Sequence, residues 1–180
     1  MITDELHRSC VDVLAGWRPA EPEQDQLRRA YLDHLAIRPD GWSRACPGAH
    51  LTASTLIKAP ETGQVLLVLH RKVGRWLQAG GHLEPGDRTL PEAALREAGE
   101  ESGLTGIVID PVPLRLSRHR VAFCGPGGSD HLDVQFLANV PGRPDPVLSP
   151  ESVDVRWFDP DRVPTEDRSV TDLVGAALLR

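Results

Sequence analysis

The chain has 180 residues, 40% of them hydrophobic and 26% charged, and a formal charge of −6. That length fits one domain with some chain left for an extension, and the composition supports an ordinary core. The acidic balance excludes a general polyanion-binding surface, so no nucleic-acid partner is expected, although a compact basic pocket is compatible with it. Cys10, Cys46 and Cys124 are odd in number, widely spaced and without a CxxC pair. Their spacing argues against a disulfide framework or a zinc site and for a reducing compartment. The first residues lack a basic-then-apolar signal pattern, and the longest apolar run, residues 65–69, is too short to span a bilayer. The expectation is a cytoplasmic protein with no membrane partner.

In chain order, Leu6, Cys10, Val13 and Leu14 recur at helical spacing and stop near Gly16. Pro22 opens a second helix with Leu27, Ala30, Tyr31 and Leu35 on one face. Pro39, Gly41, Pro47 and Gly48 then make a loop. Residues 1–46 thus read as a helical extension without a chemical motif, used for packing or homodimer formation, with covering of the substrate as the less favoured alternative. Residues 47–180 read as the main domain. Residues 51–58 and 64–70 are strands joined by a turn at Glu61, Thr62 and Gly63, as in a hairpin. Residues 75–83 form a third extended piece, interrupted by Gly80 and Gly81, and a helix follows. Strands are expected at 112–124, 131–140 and 153–158, with a closing amphipathic helix at 170–179. Strands in the middle with helices at the ends and after Gly81 predict an α/β (α+β) fold, a mixed central sheet with helices on its faces.

Chemistry concentrates in residues 80–104, GGHLEPGDRTLPEAALREAGEESGL. Thr89 is placed to cap the helix, with Glu92 completing a capping box, and Gly103 is placed to end it. Glu97, Glu100 and Glu101 fall at i, i+3 and i+4, so their carboxylates share one side. Such like-charge pairs cost about 0.2–0.5 kcal/mol each, and the last helical turn favours cations instead. A local rule broken in this way points to function. A divalent cation would reverse the sign of the local electrostatics, and oxygen ligands suit Mg²⁺ or Mn²⁺. By itself the cluster also fits a solvated acidic face, with Arg96 offsetting part of the repulsion.

The setting changes that balance. Gly81 together with Arg96, Glu97, Ala98, Gly99, Glu100, Glu101, Ser102, Gly103 and Leu104 resembles the Nudix box: a glycine, five residues, a glutamate, seven residues, then REUxEExGU with U apolar. Chance agreement of the fixed residues in the second half at one chosen place is on the order of once in a million. Two departures stand out: Asp87 occupies the place of the first glutamate, and eight residues rather than seven separate it from Arg96.

The resemblance implies an α/β/α sandwich and a magnesium-dependent hydrolase that cuts a phosphoanhydride bond in a nucleoside diphosphate linked to another moiety. It implies Glu97, Glu100 and Glu101 as metal ligands with the Gly80 carbonyl beside them. Arg96 would orient a box carboxylate, and Glu84 and Asp87 would buttress the loop. Arg71, Lys72 and Arg75 are candidates for phosphate contacts, and Trp76 for stacking on a base. His119 and His131 flank the glycine-rich loop as candidate acid–base groups, and Glu151 is a candidate loop-borne ligand or base. Two alternatives remain: a non-hydrolytic nucleotide sensor, motivated by Asp87, the extra loop residue and the N-terminal extension, and the isomerase branch of the same fold. The isomerase needs a cysteine paired with an acid, and nothing in the sequence places Cys46 or Cys124 near Glu97.

Overall fold

A computed structural model describes the backbone of residues 2–150 and 152–180 and the side chains of 5–150 and 152–180. Its elements are α1 (Ile2–Gly16), α2 (Pro22–Ile37), β1 (Ala49–Ala59), β2 (Gln64–His70), β3 (Trp76–Leu77), β4 (Ala79–His82), α3 (Leu90–Ser102), β5 (Val108–Ile109), β6 (Arg115–Val121), β7 (Ser129–Asn139), β8 (Ser152–Phe158) and α4 (Arg168–Leu178). The mixed sheet is built around β1. Its first half pairs with β4 and its second half with β2, both antiparallel, while β7 runs parallel along its other side. β8 extends the sheet beyond β2, and β6 extends it beyond β7.

The period-2 alternation of β1 assigns the layers. Leu51 and Ala53 face α3, packing with Leu90, Ala93 and Ala94, and the Thr55 hydroxyl donates to the Ala94 carbonyl at 3.1 Å. Leu56 faces the other way, into a cluster with Val170, Leu173, Val174 and Ala177 of α4. The result is the expected α/β/α sandwich. Its small residues let α3 lie close on the sheet: Leu90, Ala94, Ala98 and Glu101 form one buried stripe at helical spacing. A carboxylate thus stands where a core residue belongs.

The N-terminal helices pack into the same core. Leu6, Cys10 and Leu14 of α1 and Tyr31 and Leu35 of α2 are fully buried in the cluster that holds Leu51 and Phe136. Gln24 satisfies the free edge of β6 by accepting from the Leu116 N–H at 2.7 Å and donating to its carbonyl at 3.1 Å. The Ser9 hydroxyl accepts from the Leu90 N–H at 3.1 Å, one of the amides that α3 leaves unpaired at its start.

Several expectations shift. The extended piece at 75–83 is two strands, because β3 pairs with β2 while β4 pairs with β1. The two-residue β5, too short to show a period, escaped the sequence reading. The capping box closes on one side: Thr89 accepts from the Glu92 N–H at 3.2 Å, but the Glu92 carboxylate accepts from the Arg88 N–H at 3.2 Å and pairs with the Arg88 guanidinium. Gly103 ends α3 at φ 64, the left-handed conformation expected of it.

Candidate active site

β4 and α3 lie side by side and present the box to each other. Gly80 donates its N–H to Glu101 Oε2 at 2.9 Å, and Glu101 is 5% exposed. A charge-assisted bond of this kind offsets part of the cost of burying a carboxylate. Glu97 is also largely covered, whereas the Glu100 side chain is 60% exposed.

The two glycines make this approach possible in different ways. A Cβ on Gly81 would stand 2.7 Å from the Glu97 carboxylate, and one on Gly80 would stand 2.4 Å from Ser54 Cβ and 2.8 Å from the Ala53 carbonyl. At Gly81 the obstacle is the end of a side chain that can swing away; at Gly80 it is the neighbouring strand. Gly81→Ala is therefore expected to leave the melting temperature near that of the parent and to lower kcat by about 10²-fold by displacing Glu97. Gly80→Ala is expected to destabilise the fold by about 1–3 kcal/mol through overpacking. Thermal melts and steady-state kinetics on the two variants separate these effects, and equal stability losses would refute the distinction.

Arg96 ties the loop to the helix with five hydrogen bonds. Nε and Nη2 grip the two Asp87 oxygens at 3.0 and 3.1 Å, Nη1 reaches Glu97 at 2.9 Å and Glu100 at 3.1 Å, and Nη2 donates to the His82 carbonyl at 2.9 Å. The hydrogen bond to Asp87, then the neighbouring Glu97 carboxylate, push the guanidinium further up from its already high range. Asp87 is buried and accepts the Glu84 N–H at 2.8 Å. Glu84 thus enters the loop support through its backbone. The longer loop places the shorter Asp87 carboxylate in a bidentate grip on Arg96.

The other sequence candidates lie at the β2–β3 corner and along β6 and β7. Arg71 donates to the carbonyls of Pro150 and Ser152 at 3.1 and 2.8 Å. Lys72 is exposed in the turn, and the Arg75 side chain is 65% exposed beside Asp167 at 3.4 Å. Trp76 stacks edge-on against Phe158 with ring centroids 4.9 Å apart. His119 is exposed on β6, opposite His131 of β7. Glu151 lies outside the described residues.

A second group of polar side chains lies on the α4-facing side of the sheet. Asp133 of β7 accepts from Thr52 at 3.0 Å, Ser54 at 2.7 Å and Gln78 at 3.4 Å. Burial raises its pKa above the usual carboxylate range. At the end of this face His50, His82, Cys124 and His131 converge, and desolvation lowers the pKa of His82 to about 4 and of His131 to about 3. Both rings are therefore neutral at physiological pH. The sequence reading singles out His131 but not the face it belongs to. Its signal, polar residues at every second position of β1 and β7, gains meaning only once the two strands are known to pair.

The profile of the NUDIX domain matches residues 48–174. The chain belongs to the Nudix family. An oxidized purine nucleoside triphosphate hydrolase of zebrafish (Danio rerio) is 30% identical over 130 residues, covering 69% of this chain and 77% of that protein. Among solved structures, the E. coli dihydroneopterin triphosphate pyrophosphohydrolase superposes with a TM-score of 0.60 at 20% identity, covering 72% of this chain and 94% of that one. A MutT protein from Methanosarcina mazei Go1 gives 0.57 at 20% identity over 72% and 95%. The protein is thus a Nudix hydrolase, a pyrophosphohydrolase acting on acid anhydrides. Among the described residues, no helix is long and apolar enough to cross a membrane.

Proposed function

We propose that this Nudix hydrolase is Mg²⁺-dependent, with Mn²⁺ as a substitute, and adds water across a phosphoanhydride bond in a nucleoside diphosphate linked to a further group. The observation that carries the reading is the pinning of Glu97 and Glu101 against β4, where Gly81 leaves room for one carboxylate and the Gly80 N–H holds the other. The donor set fits a hard cation, since it is made of carboxylates with the Gly80 carbonyl nearby. Glu97, Glu100, Glu101 and Gly80 would hold the ion. When bound, such an ion lowers the pKa of water and neutralises charge developing on phosphoryl oxygens.

Arg96 has a positioning role, fixing Glu97 and Glu100 relative to the loop. Lys72 and Arg75 offer exposed cations to the phosphates, while Arg71 and Trp76 hold the β2–β3 corner against β8. The name of the zebrafish relative supports a nucleoside triphosphate as the first substrate to try. The sensor alternative is motivated by Asp87, the extra loop residue and the N-terminal extension; the bidentate Asp87–Arg96 grip speaks only to the first of these, by keeping Asp87 in the loop-supporting place of the expected glutamate.

The test is a panel of nucleoside triphosphates, dinucleoside polyphosphates and nucleoside diphosphate sugars incubated with protein and Mg²⁺ and read by mass spectrometry. Expected products are a nucleoside phosphate and the complementary phosphorylated fragment, with loss of turnover on chelation. A folded protein that cuts none of them, or cuts them equally well in chelator, overturns the proposal.

A further inference from the structure

Four side chains that the hydrolytic site does not use meet at the end of the polar face. His50 of β1 and His131 of β7 are register partners in the parallel pair, and His82 closes β4 opposite Thr52. Cys124 reaches them from the loop between β6 and β7. One donor atom from each lies within 4.8 Å of all the others. The three imidazole centroids form a near-equilateral triangle with sides of 5.1, 5.0 and 5.0 Å.

The two sulfur–nitrogen distances match a known coordination geometry. Cys124 Sγ lies 3.7 Å from His50 Nε2 and 3.5 Å from His82 Nε2. With zinc bonds of about 2.3 Å to sulfur and about 2.05 Å to nitrogen, a tetrahedron has a sulfur–nitrogen edge of about 3.6 Å. A second observation is that His131 Nε2 is buried without a hydrogen-bond partner among the described residues. Buried polar atoms are normally satisfied, and an imidazole nitrogen left without a partner is available to ligate. Ser129 Oγ stands 3.2 Å from His50 Nδ1, the outer hydrogen bond that orients a ligating imidazole.

We propose that His50, His82, Cys124 and His131 bind one zinc ion in a closed tetrahedral site, separate from the carboxylates of the box. Three imidazoles and one thiolate suit zinc over magnesium, and four protein ligands leave no open position for substrate, so the site is structural. Uptake releases the Cys124 thiol proton. The ion clamps the loop between β6 and β7 onto β4. Because Arg96 is bonded to the His82 carbonyl, it also stiffens the start of the box. This inference does not depend on the proposed substrate.

The experiment uses the full chain carrying Glu97→Gln and Glu100→Gln, so that the box carboxylates contribute little. Zinc is measured in the purified protein by mass spectrometry, and the metal-stripped protein is titrated with Co²⁺. One zinc per chain is expected, together with intense tetrahedral cobalt bands in the visible and a thiolate-to-cobalt band in the near ultraviolet. Cys124→Ser abolishes the near-ultraviolet band, and His131→Ala lowers zinc affinity by at least about 100-fold. Only trace zinc with a weak, octahedral cobalt spectrum overturns the site whether or not either variant folds. So does a zinc content and cobalt spectrum unchanged in both variants.

Discussion

Glu100→Gln is expected to lower kcat by at least about 10²-fold on whichever nucleotide proves to be the substrate, while the protein melts within about 2 °C of the parent. The two halves of this expectation come from the same observation. The Glu100 side chain is 60% exposed, and its described ion pair is the i,i+4 contact with Arg96 at 3.1 Å. An exposed pair of this kind contributes about 0.3–0.5 kcal/mol, and removing one of three clustered negative charges returns a similar amount. Stability therefore stays nearly level. The lost charge, however, is one that the proposed cation requires, and glutamine keeps the shape without it. Kinetics at several Mg²⁺ concentrations, paired with a thermal melt, read both halves. Turnover undiminished at limiting Mg²⁺ would remove Glu100 from the ligand set.

Arg96→Ala has the larger structural consequence. The guanidinium is 21% exposed and its partners Asp87 and Glu97 are 6% and 14% exposed, so the substitution removes the Arg96 charge from beside two covered carboxylates. Breaking such a partly buried network costs about 3 kcal/mol, which for a chain of this size lowers the melting temperature by about 6–12 °C. A fall in kcat of about 10²-fold is expected as well, because the fork that aims Glu97 is lost and small misplacements at a reacting centre are costly. Arg96→Lys keeps the charge but cannot grip both Asp87 oxygens and the Glu97 carboxylate together. It should restore part of the stability and less of the rate. Calorimetry of the three proteins decides the matter: an alanine variant as stable as the parent would show that the network contributes nothing to the fold.

Much of the fold was legible locally. The ends of α3 followed from Thr89 and Gly103, because caps are decided by residues within one turn of each other. β2 was read with its full bounds, since its turn at Gly63 and its apolar run are contiguous. The division of the 75–83 segment between two partner strands was not legible. Which neighbour a strand pairs with depends on residues far away in the chain, here on β1 and β2. Glu101 shows the same limit within the box. Its place in the motif was plain, but only packing against β4 reveals that it is buried and held by the Gly80 N–H.

The cysteine spacing is the sharpest contrast. A linear reading of Cys10, Cys46 and Cys124 turned against a zinc site because it sought paired cysteines, whereas Cys124 meets three histidines drawn from β1, β4 and β7. By itself the sequence determined the family, the helix that carries the carboxylates, and the alternation of strands and helices, since each is encoded by residue type at short, fixed spacing. Only the tertiary structure decided how Asp87 replaces the expected glutamate, which carboxylates are covered, and that four distant donors converge. Those outcomes depend on strand register and on loop paths that close over long chain separations, and no local pattern records them.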